Sequence, residues 1–531
     1  MNKNILSKVW AFLSLLAILN VIIYDFIILT SPDLIRIQFI PDDAFYYFQL
    51  AKNFTKLGYW TFDSGVSLTS GYHPLWAYIL VLAYKVFNFT DDNFILAGAA
   101  FSSTLTIMAS LFVWKKSLRA QTPYALMIFA LIASSQSFLF NSISGLEWAI
   151  TLFLITFYYF IFYKTKPSLR KNILLFVSAA FLSLARSDSG LIPLSIFFAI
   201  VIFQKKAKIK DFDEIKSSFF GLAGAVLGVG AVLLNNFVYS EGFLQSSAQM
   251  KLYWSQFENI SEFASALLLV IRTNGLEVLL KNPLLAVYLI PVLLVIASII
   301  LVVVEKFSSS LPDDDNFIEN PGQRDMTKIV AAIFCIIGYA IFYTKNGGVQ
   351  NWYSVNLLAS IFIVNVSFWN LLEGFFPKFR YIIRLELSIV VSVAIGLNLC
   401  TVYPVEIHSP WPHQKAMLAA GKYLQEHPLD GRAGSWNAGI IGYYQGGTIV
   451  NIDGLVNDSI FPFATTNSLP IYLEAEDVDY IIDFQTMLDL PYSARGGYND
   501  TKFLGRLVPI KIFDNGEFPN WKYLTLYKII R

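Results

Sequence analysis

Long apolar segments alternate with short polar segments along most of the chain. A helix needs about 20 consecutive apolar residues to cross the hydrocarbon layer of a bilayer. Val9 to Leu29, Pro283 to Val304 and Tyr381 to Val402 reach that length. The full pattern gives candidate spans at 9–29, 72–89, 94–113, 124–140, 146–163, 172–186, 190–203, 218–236, 283–304, 328–343, 353–371 and 381–402. The sequence therefore predicts an α-helical polytopic membrane protein with about 11–13 spans.

Basic residues predict the orientation of these spans, since cytoplasmic loops retain Lys and Arg. Lys3 and Lys8 predict a cytoplasmic N-terminus. Three later clusters mark inside loops at 164–171, 205–216 and 305–328. Counting from those loops places the tail after Val402 outside, whereas counting all candidates from the N-terminus places it inside. We attribute the difference to one segment within residues 72–140 that does not fully cross.

The composition changes after Val402. Residues 403–531 carry Gly, Pro, Asn and Asp at the density of a soluble domain. Short helices are predicted at 421–427 and 436–444, and short buried strands at 448–452 and 478–483. We therefore expect a multi-spanning domain over 1–402, with outer loops at 30–71 and 239–282. A small extracytoplasmic α/β domain follows it.

Composition narrows the class of partner. Only 15% of the residues are charged, against about a quarter in soluble domains. This low fraction is consistent with a membrane protein. The net charge of +1 predicts no nucleic acid partner. Cys335 and Cys400 lie in apolar blocks and are predicted to be buried. Neither a Cys/His metal pattern nor a Gly-rich nucleotide-binding fingerprint occurs in the sequence.

Two adjacent acids, Asp42 and Asp43, follow Pro41 after the first span. The aromatic-rich stretch behind them has amphipathic helical spacing and is predicted to lie in the membrane interface. Repulsion between neighbouring carboxylates raises one pKa, which suits a general base. Alternatively, both acids cap a helix that begins near Ala44. The two roles are compatible, and both remain open.

Further polar residues near span ends could bind phosphate. His73 opens the second predicted span, where it either binds phosphate as a cation or extends towards water. Arg186 either forms an ordinary ion pair with Asp188 at the interface or grips a phosphate through two N–H groups. Lys251 in the second outer loop is another candidate for binding phosphate.

Other residues fit the wall of a polar cavity. Glu147 lies just before a span, where it either caps the helix or lines such a cavity, because ionisable groups at membrane depth face a cavity or a partner. Trp352 and Tyr353 are either interfacial belt residues or residues that stack on a sugar or a prenyl chain.

The first outer loop resembles that of the GT-C superfamily of membrane glycosyltransferases. The matching motifs are Asp-Asp-Ala-Phe-Tyr-Tyr at 42–47, Thr-Phe-Asp at 61–63 and Gly-Tyr-His-Pro-Leu-Trp at 71–76. The resemblance is strongest to a bacterial and archaeal multi-spanning branch, related to protein mannosyltransferases and to the aminoarabinose transferase of lipid A. Weaker matches occur at 144–147, 184–188, 346–348, 352–353, 436–439 and 451–457.

This resemblance implies an enzyme that transfers a hexose or pentose from a polyprenyl-phosphate donor on the outer face of the cytoplasmic membrane. It implies that Asp42 is the base, and that Asp43 assists or binds a divalent cation, magnesium or manganese. The donor phosphate would contact His73, Arg186 and Lys251. Family members carry Lys-Pro where this chain has His73-Pro74, which weakens that assignment. Glu147, Asp188, Trp352 and Tyr353 would complete the cavity that holds the substrates.

The acceptor, whether glycan, lipid or protein, stays open, as do the sugar and the stereochemistry. Two other functions remain as alternatives. A transporter or flippase for a lipid-linked sugar should show repeated halves, and the sequence shows no such repeat. A non-catalytic protein of cell-envelope assembly would use the tail and leave the acidic loop inert.

Overall fold

The structure is a computed structural model. It describes residues 3–119, 122–207, 212–240, 242–254, 261, 321–344, 350–375, 377–405, 408–489, 496–515 and 521–531. Several expectations lie outside these residues, namely the span at 283–304, most of the loop at 239–282, most of the linker at 305–328 and the Asn-Gly-Gly motif at 346–348.

Helices make up most of the described residues before residue 403. They are α1 (Lys3–Thr30), α2 (Asp33–Arg36), α3 (Asp42–Leu57), α4 (Pro74–Phe87), α5 (Asp91–Arg119), α6 (Pro123–Ala133), α7 (Gln136–Ser142), α8 (Trp148–Lys164), α9 (Leu169–Ala185), α10 (Leu191–Ala207), α11 (Phe212–Tyr239), α12 (Ser246–Trp254), α13 (Pro321–Thr344), α14 (Val355–Phe375) and α15 (Arg380–Val402). Six of the described helices are long and apolar enough to cross a membrane: α1, α5, α11, α13, α14 and α15. The multi-pass membrane class is thus confirmed.

Shorter apolar segments accompany these six helices. They are α4, α8 and the segment Ser187–Phe203. The predicted span at 124–140 is not one straight helix, because α6 and α7 meet at an angle of 73°. Ser135 produces the break by accepting a hydrogen bond from the N–H of Phe138 as the N-cap of α7. The count of 11–13 spans and the direction of each crossing stay predictions.

A buried carboxylate links three of the membrane helices. Asp25 of α1 accepts hydrogen bonds from Ser103 Oγ of α5 at 2.5 Å and from Ser142 Oγ of α7 at 2.6 Å. Asp25 is 1% exposed. Since hydrocarbon offers no hydrogen-bond partners, these contacts hold the three helices together.

The two cysteines differ in burial. Cys335 on α13 is buried, as predicted, whereas Cys400 on α15 is exposed. The prediction for Cys400 is wrong because an apolar helix facing lipid leaves part of its surface uncovered by protein.

The C-terminal residues form an α/β domain around a five-stranded sheet. Its strands are β1 (Arg432–Ser435), β2 (Ile449–Asn451), β3 (Val478–Phe484), β4 (Leu507–Asp514) and β5 (Tyr523–Ile529), in the order β2-β1-β3-β5-β4. Its helices are α16 (Gln414–Glu426), α17 (Gly439–Gln445), α18 (Ile460–Thr465), α19 (Leu469–Ala475), α20 (Gln485–Asp489) and α21 (Thr501–Leu504). The first three strands are parallel, and β5 pairs antiparallel with β3 and β4. The α/β class predicted for the tail is therefore confirmed.

Helix α3 lies between the membrane helices and the C-terminal domain. Every residue from Ala44 to Asn53 is buried. The Phe45 ring lies 5.6 Å from that of Tyr443 in α17, and the Phe48 ring lies 5.1 Å from that of Phe94 in α5. The prediction of an interfacial helix is wrong here, because protein covers the aromatic face that was expected to meet lipid headgroups.

Gly439 allows the C-terminal domain to approach α3 closely. A Cβ atom at this position would lie 2.3 Å from the Asp42 carbonyl oxygen and 2.7 Å from its Oδ1. We therefore expect Gly439→Ala to destabilise the domain contact by about 1–3 kcal/mol, measured as a lower melting temperature and faster proteolysis of the tail. Gly374→Ala is the control, because nothing lies within 4 Å of its added Cβ. Equal melting temperatures for both variants would contradict the steric argument.

Candidate active site

Most of the predicted site residues line one cavity beneath the C-terminal domain. The cavity encloses about 790 Å³, part of it open solvent. The predicted residues that line it are Asp43, His73, Glu147, Arg186, Asp188, Lys251, Trp352 and Tyr353. Leu455 and Val456 contribute a wall from the C-terminal domain. Residues separated by hundreds of positions in the sequence therefore meet at one place.

Asp42 points away from this cavity, towards the C-terminal domain. Its Oδ1 accepts from the N–H of Ile440 at 2.6 Å and its Oδ2 from that of Gly439 at 3.2 Å. These are the first two N–H groups of α17, so Asp42 caps that helix rather than α3, which has no side-chain cap. Burial raises the pKa of Asp42 to about 7, although the hydrogen bond from Ile440 opposes the rise.

Asp43 faces the cavity from the same helical turn. Successive helical positions differ by about 100° around the axis, which separates the two carboxylates. Burial raises the pKa of Asp43 to about 6, and nearby Glu147 adds to the rise while the positive charge of Lys251 opposes it. At neutral pH most copies are therefore ionised, with a basicity well above that of an ordinary aspartate.

Arg186 is saturated by protein partners. Its Nε and one terminal nitrogen donate to the Asp188 carboxylate at 3.1 and 3.0 Å. Further donations reach Glu147 Oε1 at 2.6 Å, Tyr343 OH at 2.7 Å and the Trp352 carbonyl at 3.5 Å. These contacts engage all five N–H groups of a guanidinium. Arg186 is thus arranged to position the two acids, and the predicted ion pair with Asp188 is buried rather than interfacial.

Lys251 brings a second cation to the cavity from α12. Its ammonium donates to Tyr353 OH and lies 4.5 Å from the centre of the Tyr353 ring. Burial lowers the pKa of Lys251, but the phenol of Tyr353 and the carboxylate of Asp43 outweigh it, so the net pKa is raised. The side chain therefore remains charged inside the cavity, next to Asp43.

His73 lies just before α4 and is neutral at pH 7. Burial lowers its pKa, and Arg186 adds to the effect while Glu147 opposes it. Its Nε2 lies 3.7 Å from Glu147 Oε1. Among the described residues, Nδ1 has no hydrogen-bond partner. A neutral imidazole can donate one hydrogen bond to a phosphate but adds no positive charge.

Glu147, Trp352 and Tyr353 do not take the purely structural roles that the sequence had left open for them. Glu147 occupies the N-cap position of α8, but its side chain makes no capping hydrogen bond. Trp352 and Tyr353 are 6% and 7% exposed and lie inside the protein rather than in an interfacial belt. Tyr343, which the sequence argument missed, donates to Asp188 Oδ2 at 2.6 Å.

A metal ion does not fit the described residues of this site. No group of three or more His, Cys, Asp or Glu side chains in the described part of the chain could hold a metal. Glu147 and Asp188 are both engaged by Arg186. The idea that Asp43 binds magnesium or manganese therefore gains no supporting ligand set, and no chemical step below uses a metal.

Two further buried acids lie where the C-terminal domain meets α3. Asp453 accepts from the N–H of Leu455 at 2.7 Å and from Tyr46 OH at 3.4 Å. Asp483 accepts from the N–H of Trp436 at 2.9 Å and from Tyr498 OH at 2.6 Å. Burial raises the pKa of Asp453 to about 8 and that of Asp483 to about 7. Asp453 lies in the 451–457 motif that the sequence had singled out without a chemical role.

One known family model matches the C-terminal domain. Residues 406–527 match a family model described as a domain of unknown function (DUF8728). The search of curated proteins gave no match.

Solved structures similar to this chain include the following two. One is the oligosaccharyltransferase of Archaeoglobus fulgidus with a tethered acceptor peptide, at 13% identity and a TM-score of 0.48, covering 98% of this chain and 74% of that one. Another is ArnT of Cupriavidus metallidurans, at 10% identity and a TM-score of 0.48, covering 97% of each chain.

The raised pKa values predict that stability falls as pH rises. Asp42, Asp453 and Asp483 hold protons in the folded protein up to pH 7 to 8, whereas in the unfolded chain they lose them near pH 4. The folded state therefore binds more protons between about pH 4 and 8, and its stability decreases through that window. We expect a higher melting temperature at pH 5.5 than at pH 8.5.

Asp453→Asn should reduce this pH dependence, because the amide cannot ionise and can still accept from Leu455. The exposed Asp489→Asn should leave the slope unchanged. Melting temperatures of the purified full chain across pH 5–9 test the expectation. A melting temperature that rises with pH would show that the buried acids do not control stability.

Proposed function

We propose that this chain is a GT-C-type glycosyltransferase that transfers a sugar from a polyprenyl-phosphate-linked donor to an acceptor at the outer face of the cytoplasmic membrane. The supporting observation is the placement of Asp43 and Lys251 in one cavity, between the membrane helices and the covering domain. A base and a cation at such a place match a reaction whose donor is anchored in lipid and whose leaving group is a phosphate.

Asp43 acts as the base in this proposal. Its pKa of about 6 leaves it ionised at neutral pH and suited to take a proton, because a general base works best when its pKa lies near the working pH. The acceptor oxygen then forms a bond to the anomeric carbon while its proton passes to the Asp43 carboxylate. Asp42 is excluded from this step in our proposal, since its oxygens are engaged by α17.

Lys251 stabilises the leaving group. When the bond between the anomeric carbon and the phosphate oxygen breaks, the electron pair stays on the phosphate, whose negative charge increases. A fixed ammonium lowers the energy of that charge most effectively in a cavity with little water. His73 can add one hydrogen bond to the same phosphate. Arg186 offsets one of the two negative charges of Glu147 and Asp188, which reduces their repulsion of the donor.

Asp43→Asn should abolish most sugar transfer. Loss of a general base costs on the order of 100- to 10,000-fold in rate. Asp42→Asn should cost much less in rate but should lower the melting temperature, because it weakens the cap of α17. The assay uses the full chain in membranes with a labelled polyprenyl-phosphate sugar, and Asp489→Asn is the surface control.

Comparing sugar transfer by the two variants shows which of the two carboxylates is the base. Transfer retained in Asp43→Asn and lost in Asp42→Asn would assign the base to Asp42. Transfer retained in both would exclude both carboxylates as the base and overturn the proposed mechanism.

Lys251→Met should raise the KM for the lipid donor and lower kcat, because the phosphate loses a charged partner in both the bound and the reacting state. Lys251→Arg should retain more activity, since it keeps the charge. Tyr353→Phe removes the phenol beside Lys251 without changing the charge, and its smaller effect serves as the comparison. Wild-type kinetics in Lys251→Met would exclude Lys251 as the phosphate ligand.

A further inference from the structure

A second, larger cavity lies among the membrane helices. It encloses about 1480 Å³, part of it open space, and side chains of α5, α6, α7, α8, α13 and α14 line it. Most of the lining is apolar, with aromatic rings such as Phe129, Phe138 and Phe160. The proposed transfer reaction uses none of these residues.

This cavity runs along the whole length of α8. Trp148 lines one end, directly after Glu147 of the first cavity, and Lys164 lines the other end. The 16 helical steps between them correspond to about 24 Å. That length covers most of the hydrocarbon thickness of about 30 Å. The far end therefore lies near the membrane surface opposite to Asp43.

Four cations gather at this far end. Lys116 lies near the end of α5, Lys164 ends α8, and Arg324 and Lys328 lie in the first turns of α13; all four line the cavity. Burial lowers the pKa of the Lys164 ammonium, and the positive charges of Lys328 and Arg324 lower it further. The Lys116 ammonium lies 3.9 Å from the centre of the Phe160 ring.

Acidic partners balance only part of this charge. Asp325 lies 2.5 Å from the Lys328 ammonium, and Glu214 lies near Tyr163 at the same end. Among the described residues at this end, four cations against these two acids leave a surplus of two positive charges. Arg324 also donates to the Tyr163 carbonyl, which holds its guanidinium at the cavity end.

Ser110 provides a separate indication of a polar ligand inside the cavity. It lines the cavity, is 1% exposed, and among the described residues its Oγ has no hydrogen-bond partner. It precedes Lys116 by six residues, about 9 Å along α5. An uncompensated hydroxyl in an apolar wall costs free energy unless a ligand accepts its proton. The ester carbonyls of a glycerophospholipid lie below its phosphate, at the side where Ser110 stands relative to the cations.

We propose that this second cavity binds one anionic glycerophospholipid of the adjoining leaflet. Its phosphate lies among Lys116, Lys164, Arg324 and Lys328, an ester carbonyl accepts from Ser110, and an acyl chain extends along the apolar wall towards Trp148. The surplus of positive charge favours an anionic headgroup over a zwitterionic one, because each basic side chain near the membrane surface adds to the attraction.

Native mass spectrometry of the full chain in detergent tests this proposal. The probes are phosphatidylglycerol and phosphatidylcholine with identical acyl chains, and a polyprenyl monophosphate. We expect one retained phosphatidylglycerol. In Lys164→Gln/Lys328→Gln its affinity should fall on the order of 30-fold, given the loss of two attractive charges. Lys166→Gln/Arg170→Gln removes the same charge from two exposed positions between Lys164 and the first turn of α9, outside the cavity lining, and should leave the affinity near that of the wild type.

Two further variants separate the cavity from mere surface attraction. Ala359→Phe should fill the apolar part and weaken binding while the cations stay in place. Ser110→Ala should weaken binding several-fold with little effect on folding, and it remains informative if Ala359→Phe does not fold. Melting temperatures report folding for every variant.

Three results would overturn the proposal. Equal retention of phosphatidylcholine would remove the role of charge. Preferential retention of the polyprenyl monophosphate would assign the cavity to a prenyl lipid instead. Unchanged binding in both Ala359→Phe and Ser110→Ala would place the lipid on the surface. Sugar transfer is not the readout here, so a failure of the proposed enzyme activity would leave these results unaffected.

Discussion

The Asp42 carboxylate holds the C-terminal domain against the membrane helices by accepting two backbone hydrogen bonds from α17. This contact fixes the rotation of α3, and with it the direction of Asp43 one residue later. The docked domain also supports α12, because Ser246 Oγ donates to the Leu455 carbonyl at 3.0 Å. Lys251 follows on that helix. Both the acid and the cation of the cavity therefore depend on where the soluble domain sits.

The two cations that line the cavity, Arg186 and Lys251, have different partners. Arg186 contacts Glu147 and Asp188, and removing one partner of such a buried set leaves an uncompensated charge that costs about 3–5 kcal/mol. Lys251 instead contacts a neutral phenol and lies near Asp43. A phosphate that enters the cavity would therefore meet Lys251 next to Asp43, the proposed base.

The sequence predicted the membrane class, the α/β tail and nearly all of the polar residues that line the cavity, because apolar length and acidic loop motifs are local signals. It could not tell Asp42 from Asp43, since the difference arises from a contact with Gly439 almost 400 positions away. The same limit applies to Arg186, which looked available for phosphate until its partner Tyr343 was placed beside it. Strands β1, β4 and β5 were missed. Strand β1 has only four residues, Arg-Ala-Gly-Ser, without a β-branched or aromatic side chain. Pro509 and Lys511 interrupt the apolar pattern of β4, and β5 was not distinguished from the irregular tail around it.

The Asp25 carboxylate, joined to Ser103 and Ser142, has a consequence for how genetic variation in this protein should be read. Ser142 precedes Glu147 by five residues. The hydrogen bond between Asp25 and Ser142 therefore helps to fix the position of the short segment that places Glu147 beside Arg186. Loss-of-function alleles recovered without regard to position should therefore include substitutions of Asp25, although Asp25 does not line the cavity of the proposed active site.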